Sequence, residues 1–356
     1  MRRSAPLIPF ALVLALSAQE APVPVSPLQR KAVVETLAKA LKAEYVFPEV
    51  AGTVGQTLQA KAAQGGYEGA GTAKDFAEAL SKDLREQGKD GHFRVRFDPS
   101  FKSDSEEEKP PTKEEIAEAR TESARRAFGI AKVEQLPGNV GYLEVLGFGP
   151  TEFVGPAFTA ALSILSGTEA LILDLRRNDG GDPESVAYLV SHFFVEGDTR
   201  HLNSIYNRPR NRTRQYWTSP TVGVHYTGPV YVLTSGRTFS GGEECAYDFQ
   251  TQKRATLVGE TTGGGANPGH GVALGHGFVA FVPTGRAINP VTQTNWEHVG
   301  VKPDVAVPAA EALKTAHTAI LKDLLAKEKD AGARKRLETV LARVEKGEAE
   351  PVRYGR

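Results

Sequence analysis

The stretch Val230 to Glu244 surrounds a serine with what a nucleophile needs. Val230, Tyr231, Val232 and Leu233 read as a strand, Thr234 to Thr238 as a tight polar turn, and a helix is predicted to begin at Phe239-Ser240. A strand–turn–helix corner of this kind holds a hydroxyl at the mouth of a sheet, where free N–H groups of the helix start can stabilise an oxyanion. Gly241 and Gly242 then allow a substrate backbone to come close. A second glycine turn, Arg176 to Pro183, follows the apolar run Leu171–Leu175 and precedes a helix that Asp182 would cap and Pro183 would start. The N–H groups of Gly180 and Gly181 would point into open space there. If the two turns lie at the carboxyl ends of neighbouring strands, they form an oxyanion hole in outline. Taken singly, each stretch also fits a plain helix cap or an ordinary βα turn.

A serine nucleophile needs a base, and there are eight histidines. His92 stands apart because the turn Asp90-Gly91-His92 sets it between a helical region and the later strands, where a cleft would form. A carboxylate to orient it could come from the non-helical stretch Asn295-Trp296-Glu297-His298, although Glu297 also fits an exposed loop acid.

The elements that would position these residues fall into successive regions. Apolar positions at helical spacing predict helices from Leu28 to about Leu41, from Pro48 to about Ala63 and from Thr72 to Glu86. Residues 27–90 thus read as a small helical bundle covering one side of a cleft. Residues 91–138 read as a strand near Phe93–Phe97, a charged linker over 103–111, and a helix from the capping box of Thr112 and Glu115 to about Phe128. From residue 139 to 308 strands alternate with helices, which predicts an α/β core. Strands are expected at 140–145, 171–175, 230–233 and 255–259, and again around Val272, Phe278–Val282 and Val291. Residues 309–356 carry two charged packing helices, about 309–327 and 331–346.

Composition narrows the function. Lys plus Arg and Asp plus Glu both number 43, so no basic excess argues for nucleic acid. The single cysteine, Cys245, excludes an intrachain disulfide and a multi-cysteine metal site and is expected in the core. Met1-Arg2-Arg3, the apolar run Leu7–Leu16 and the small residues Ser17 and Ala18 predict a signal peptide over residues 1–18. With no later apolar run long enough to span a bilayer, the expected mature protein is exported, to the periplasm or beyond.

Five stretches, in this order, resemble the tail-specific or C-terminal-processing serine peptidase family. They are Asp90-Gly91-His92; Leu173-Asp174-Leu175-Arg176 with Asn178 and Gly180-Gly181; Thr238 to Glu243; Val258 to Gly264; and Trp296-Glu297 with Val299 to Asp304. The similarity is greatest to the branch that includes the tricorn protease core and the interphotoreceptor retinoid-binding protein repeats. The resemblance implies a crotonase-like (Clp protease/crotonase) α/β core with an N-terminal helical subdomain. It implies Ser240 as nucleophile, His92 as general base and Glu297 as the residue orienting it. The oxyanion hole would use the N–H of Gly241 and one from Gly180 or Gly181. Neither a metal nor an organic cofactor is implied, and the substrate would be a peptide or protein.

Two positions depart from the family. Gly265 stands where the branch with a serine–lysine dyad has its lysine, and Gly91 stands where the tricorn-like tetrad has a serine before its histidine. The stretch between His92 and Val140 also leaves no room for a PDZ module. The expected activity is therefore an exported serine peptidase of Ser-His-Glu type. Its rivals are a non-catalytic binder of an apolar, retinoid-like ligand and an acyl-CoA enzyme of crotonase type.

Overall fold

The computed structural model describes residues 22–101 and 112–348. The predicted signal peptide (1–18) and the charged linker (103–111) lie outside the described residues. Three helices come first: α1 (Pro27–Glu44), α2 (Pro48–Ala63) and α3 (Ala73–Gly88). Proline at the first position starts α1 and α2, where its missing N–H costs nothing, and a capping box of Ser26 and Gln29 closes the start of α1. Then follow β1 (Arg94–Phe97), α4 (Lys113–Arg125), β2 (Ile130–Leu136), β3 (Val140–Val145), α5 (Thr151–Leu165), β4 (Ala170–Asp174) and α6 (Pro183–Ser191). A hairpin of β5 (His201–Asn207) and β6 (Arg212–Trp217) leads to β7 (Val230–Thr234), α7 (Gly241–Thr251) and β8 (Thr256–Gly259). Last come β9 (Gly269–Gly275), β10 (Phe278–Pro283), β11 (Gly285–Ile288), β12 (Val305–Ala306), α8 (Ala309–Lys327) and α9 (Ala331–Lys346).

The central sheet has the order β12-β8-β7-β4-β3-β2, parallel throughout except for β2 at one edge. Every residue of β3 and β4 is buried, as a parallel sheet covered on both faces requires. One face packs Leu143, Leu171, Leu173 and Val232 against α5, α6 and α7 through residues such as Phe158, Val190 and Phe249. The opposite face packs Tyr142, Ile172 and Leu233 against Ala312, Ala316 and Ile320 of α8.

A second core lies under the N-terminal helices. Leu37, Leu41, Phe76, Leu80 and Leu84 pack on Val95, Phe278, Ala280 and Val282 of a three-stranded sheet, β1-β10-β9. Two of its strands come from chain beyond the nucleophile corner. The helices α1–α3 thus rest on a floor that the later chain supplies.

The structure differs from the sequence reading in places with local causes. The helix expected to run to Phe128 stops at Arg125, because Ala127 and Phe128 have φ of 48° and 55°. The strand expected around Val291 is a turn, since the side chain of Asn289 accepts the N–H groups of Val291 and Thr292. Strands β2, β5, β6 and β11 carry no alternation that the sequence reading detected; β6 buries only Tyr216.

Candidate active site

Strands β4 and β7 are parallel neighbours, and the turns that follow them meet. The β7 turn is lashed to its neighbour by polar contacts. Thr238 Oγ1 donates to the carbonyl of Leu175 at 2.8 Å, Ser235 Oγ to that of Arg176 at 2.6 Å, and Phe239 N–H to that of Asn178 at 2.9 Å. Ser240 then takes φ 52° and ψ −120°, a conformation non-glycine residues avoid, at a cost of about 1–3 kcal/mol. That twist is what projects a side chain out of a strand–helix corner.

His92 Nε2 lies 3.0 Å from Ser240 Oγ, across 148 positions of sequence. The imidazole is held by packing: its ring centroid is 4.7 Å from that of Phe239 and 5.9 Å from that of Phe281. For Ser240 to donate to Nε2 the proton of the neutral ring must sit on Nδ1, and Nδ1 is buried with no hydrogen-bond partner among the described residues.

Two carboxyl groups stand behind that nitrogen. Asp90 Oδ1 is 3.6 Å from Nδ1 and also accepts the backbone N–H of His92 at 3.0 Å. Its Oδ2 accepts from Asn267 Nδ2 at 2.9 Å and from the Tyr45 hydroxyl at 3.3 Å. Glu297 is the other. Its Oε2 accepts the N–H of Ala266, while its buried Oε1 makes no hydrogen bond among the described residues and lies 3.6 Å from Nδ1 of the exposed His298. Burial, with Asp90 adding to it, pushes the Glu297 carboxyl up to about 8. Asp90, His92 and Glu297 each bring a nitrogen or carboxylate oxygen within 4.8 Å of the others.

Of the glycines, Gly180 donates its N–H to Asn178 Oδ1 at 2.9 Å, so that donor is already committed. The N–H groups of Gly181 and Gly241 have no partner among the described residues. They are close: a Cβ on Gly241 would stand 3.0 Å from the Gly181 nitrogen. Gly180 has φ 104°, and a Cβ there would come within 2.8 Å of Ser240 Cβ, so the turn can approach the serine only as glycine.

Three contributors were not assigned a role from sequence. Asp90 was legible as the first residue of an Asp-x-His turn, a pattern in which the side chain accepts the N–H two residues on. Glu243 is wholly buried and binds the Gly-rich turn to the serine. Asn178 uses its amide to fix Gly180 and Val145 together. From the Gly180 turn a cleft of about 730 Å³ runs toward α4, walled by Ala119, Phe128, Leu146, Phe148 and Val154.

A hydroxyl on an imidazole, a twisted corner and two free N–H groups beside an apolar cleft can carry out acyl transfer. The chain matches the family described as Peptidase family S41 over residues 139–307, and the N-terminal domain of Peptidase_S41 in eukaryotic IRBP over residues 27–130. Among solved structures it is similar to a protein of Parabacteroides merdae assigned as a peptidase, at 18% identity and TM-score 0.57, covering 83% of this chain and 97% of the other. A lipoprotein from Streptococcus agalactiae follows at 13% identity and TM-score 0.51, with 85% and 98% covered. The tricorn protease aligns at 15% identity and TM-score 0.51, over 89% of this chain but 37% of its own. The shared architecture is the crotonase-like α/β core with a helical N-terminal layer.

Proposed function

Because the chain belongs to peptidase family S41 and is a serine peptidase acting on proteins or peptides, we propose that it is a Ser-His-acid enzyme with Ser240 as nucleophile and His92 as base. The observation that carries this is the 3.0 Å contact between Ser240 Oγ and His92 Nε2 beside the unpartnered N–H groups of Gly181 and Gly241. Ser240 Oγ attacks the scissile carbonyl carbon as its proton passes to His92 Nε2. The oxyanion is taken by the N–H groups of Gly241 and Gly181, each such donor being worth about 3–4 kcal/mol in the transition state. The C–N bond breaks, the leaving amine takes the proton from Nε2, and water deprotonated by the same nitrogen releases the acid and restores Ser240. Two carboxyl groups, Asp90 and Glu297, stand behind the imidazole, and one of them supplies the acid that orients it. The cleft at Gly180, whose apolar walls are edged by Glu122, Arg126, Arg177 and Asp179, is where a substrate side chain would lie.

We place the enzyme outside the cytoplasm on the N-terminal sequence alone: two arginines, an apolar run and small residues at 17 and 18. No helix among the described residues is long and apolar enough to cross a membrane.

A fluorophosphonate probe tests the nucleophile. Ser240 should be the modified residue, and Ser240→Ala should abolish labelling while the melting temperature stays within a few degrees. Labelling that survives in Ser240→Ala, for instance on Ser235, would overturn the assignment.

A further inference from the structure

We propose that Asp90, rather than Glu297, carries the negative charge that faces the Nδ1–H of His92, and that the two carboxyl groups hold one proton between them, resident on Glu297. This rests on His92 being the base of Ser240.

A buried carboxylate keeps its charge when hydrogen-bond donors converge on it. Asp90, 1% exposed, accepts from three: the His92 backbone, Asn267 Nδ2 and the Tyr45 hydroxyl. Glu297, whose side chain is 8% exposed, accepts from one, the N–H of Ala266; the largely exposed His298 has its Nδ1 3.6 Å from Glu297 Oε1, beyond hydrogen-bond reach. Two carboxylates this close in a buried site cannot both stay ionised, and the one with fewer donors keeps the proton. The elevation of Glu297 by burial and by Asp90 agrees with that division.

The unpartnered atoms point the same way. Buried without a hydrogen bond among the described residues are His92 Nδ1, Glu297 Oε1 and Asn267 Oδ1. With the ring proton on Nδ1, the site has one free donor and two free acceptors. A proton on Glu297 Oε1 turns one of those acceptors into a donor. Distance then assigns the imidazole's partner: Asp90 Oδ1 is already 3.6 Å from Nδ1, and such contacts shorten when charge develops on the ring.

The arrangement also accounts for Gly91. A side chain there would point its Cβ at Phe239, 3.2 Å from Cζ, instead of at the gap behind His92. Asp90, one residue earlier, reaches that gap.

The experiment compares the rate of fluorophosphonate labelling at Ser240 in Asp90→Asn and Glu297→Gln, each normalised to its folded fraction by circular dichroism. At pH 7 Asp90→Asn should slow labelling by at least about 100-fold, and Glu297→Gln, which replaces a neutral group by a neutral one, by less than about 5-fold. The pH–rate curve supplies a readout that a structural role would not move. Loss of the counter-charge in Asp90→Asn should shift the acidic limb to lower pH, whereas Glu297→Gln should leave that limb in place. The reverse ranking, or an Asp90→Asn protein whose rate per folded molecule and acidic limb match wild type, would overturn the proposal. Failure of Ser240→Ala to abolish labelling would instead sink the underlying reading of the site.

Discussion

The carboxylate of Glu243 accepts the backbone N–H of Ser240 at 3.0 Å and, with its two oxygens, also holds the N–H groups of Gly264 and Gly265 at 2.6 and 2.8 Å and the hydroxyl of Thr262. One side chain thus pins the twisted serine to the turn that runs under His92. Burial pushes the Glu243 carboxyl up, and these same hydrogen bonds oppose the shift.

Glu243→Gln should therefore do more harm than its shape suggests. Each oxygen holds two of the four donors, so the new NH2 group must face two of them, leaving at least one buried N–H unpaired at a cost of about 1–3 kcal/mol. The expected result is a lower midpoint in urea and a slower labelling rate of the folded protein at Ser240. A Glu243→Gln protein with wild-type stability would show that the carboxylate is not what fixes the corner.

Gly265 gives a sharper test of how the base is seated. A Cβ at this position would lie 2.8 Å from His92 Cε1 and 2.3 Å from Phe239 Cζ. A lysine here, as in the dyad branch, and the imidazole of His92 cannot share the space. Gly265→Ala should push the imidazole from Ser240 Oγ, and a displacement of about 1 Å suffices for a roughly 100-fold loss in rate. Labelling kinetics and melting temperature together check this; unchanged labelling would mean that the ring is not held where it is seen.

The pH dependence of stability follows from α7. Glu244 and Asp248 are both buried one turn apart, and neither oxygen of Asp248 has a partner among the described residues. Burial pushes both carboxyls up, and for Asp248 the Glu244 charge adds to it. The folded protein keeps protons that the unfolded chain releases near the ordinary carboxylate range of about 4–4.5. Stability contributed by these groups is complete below that range and is lost as pH rises toward about 8, where Glu297 also lets go. Urea unfolding at pH 5, 7 and 8.5 should show this decline. Asp248→Asn should flatten it and raise stability most at pH 8.5; an equal slope in the variant would remove the pair as its cause.

Much of this site could be read from sequence because its parts depend on local rules. The corner at Ser240 and the glycines at 180 and 181 are backbone requirements that residue type displays directly, and helices α1, α2, α8 and α9 announce themselves by proline, caps and spacing. Which N–H of the Gly180-Gly181 pair is free is a different kind of fact. It depends on Asn178, whose amide reaches two residues forward. The acid behind His92 was harder still. Asp90 owes its place to Tyr45 at the end of α1 and Asn267 beyond β8, contacts that span 45 and 177 positions and leave no periodic trace. The hairpin of β5 and β6 went unseen because the outer strand is almost wholly exposed.

The small sheet under the N-terminal helices bears on when the enzyme can first act. His92 precedes β1, and β1 has one partner, β10, with Arg94 opposite Phe281 and Phe97 opposite Phe278. On the assignment proposed above, a growing chain that has passed Ser240 would hold its nucleophile before the strand that seats its base has been made. Only when residues 278–283 emerge and pair does the imidazole gain Phe281 at its back and settle against the serine. Competence would then arrive late in synthesis, set by the order of strands along the chain, since a fragment ending before β10 has His92 but neither the strand that pairs with β1 nor the ring that backs the imidazole.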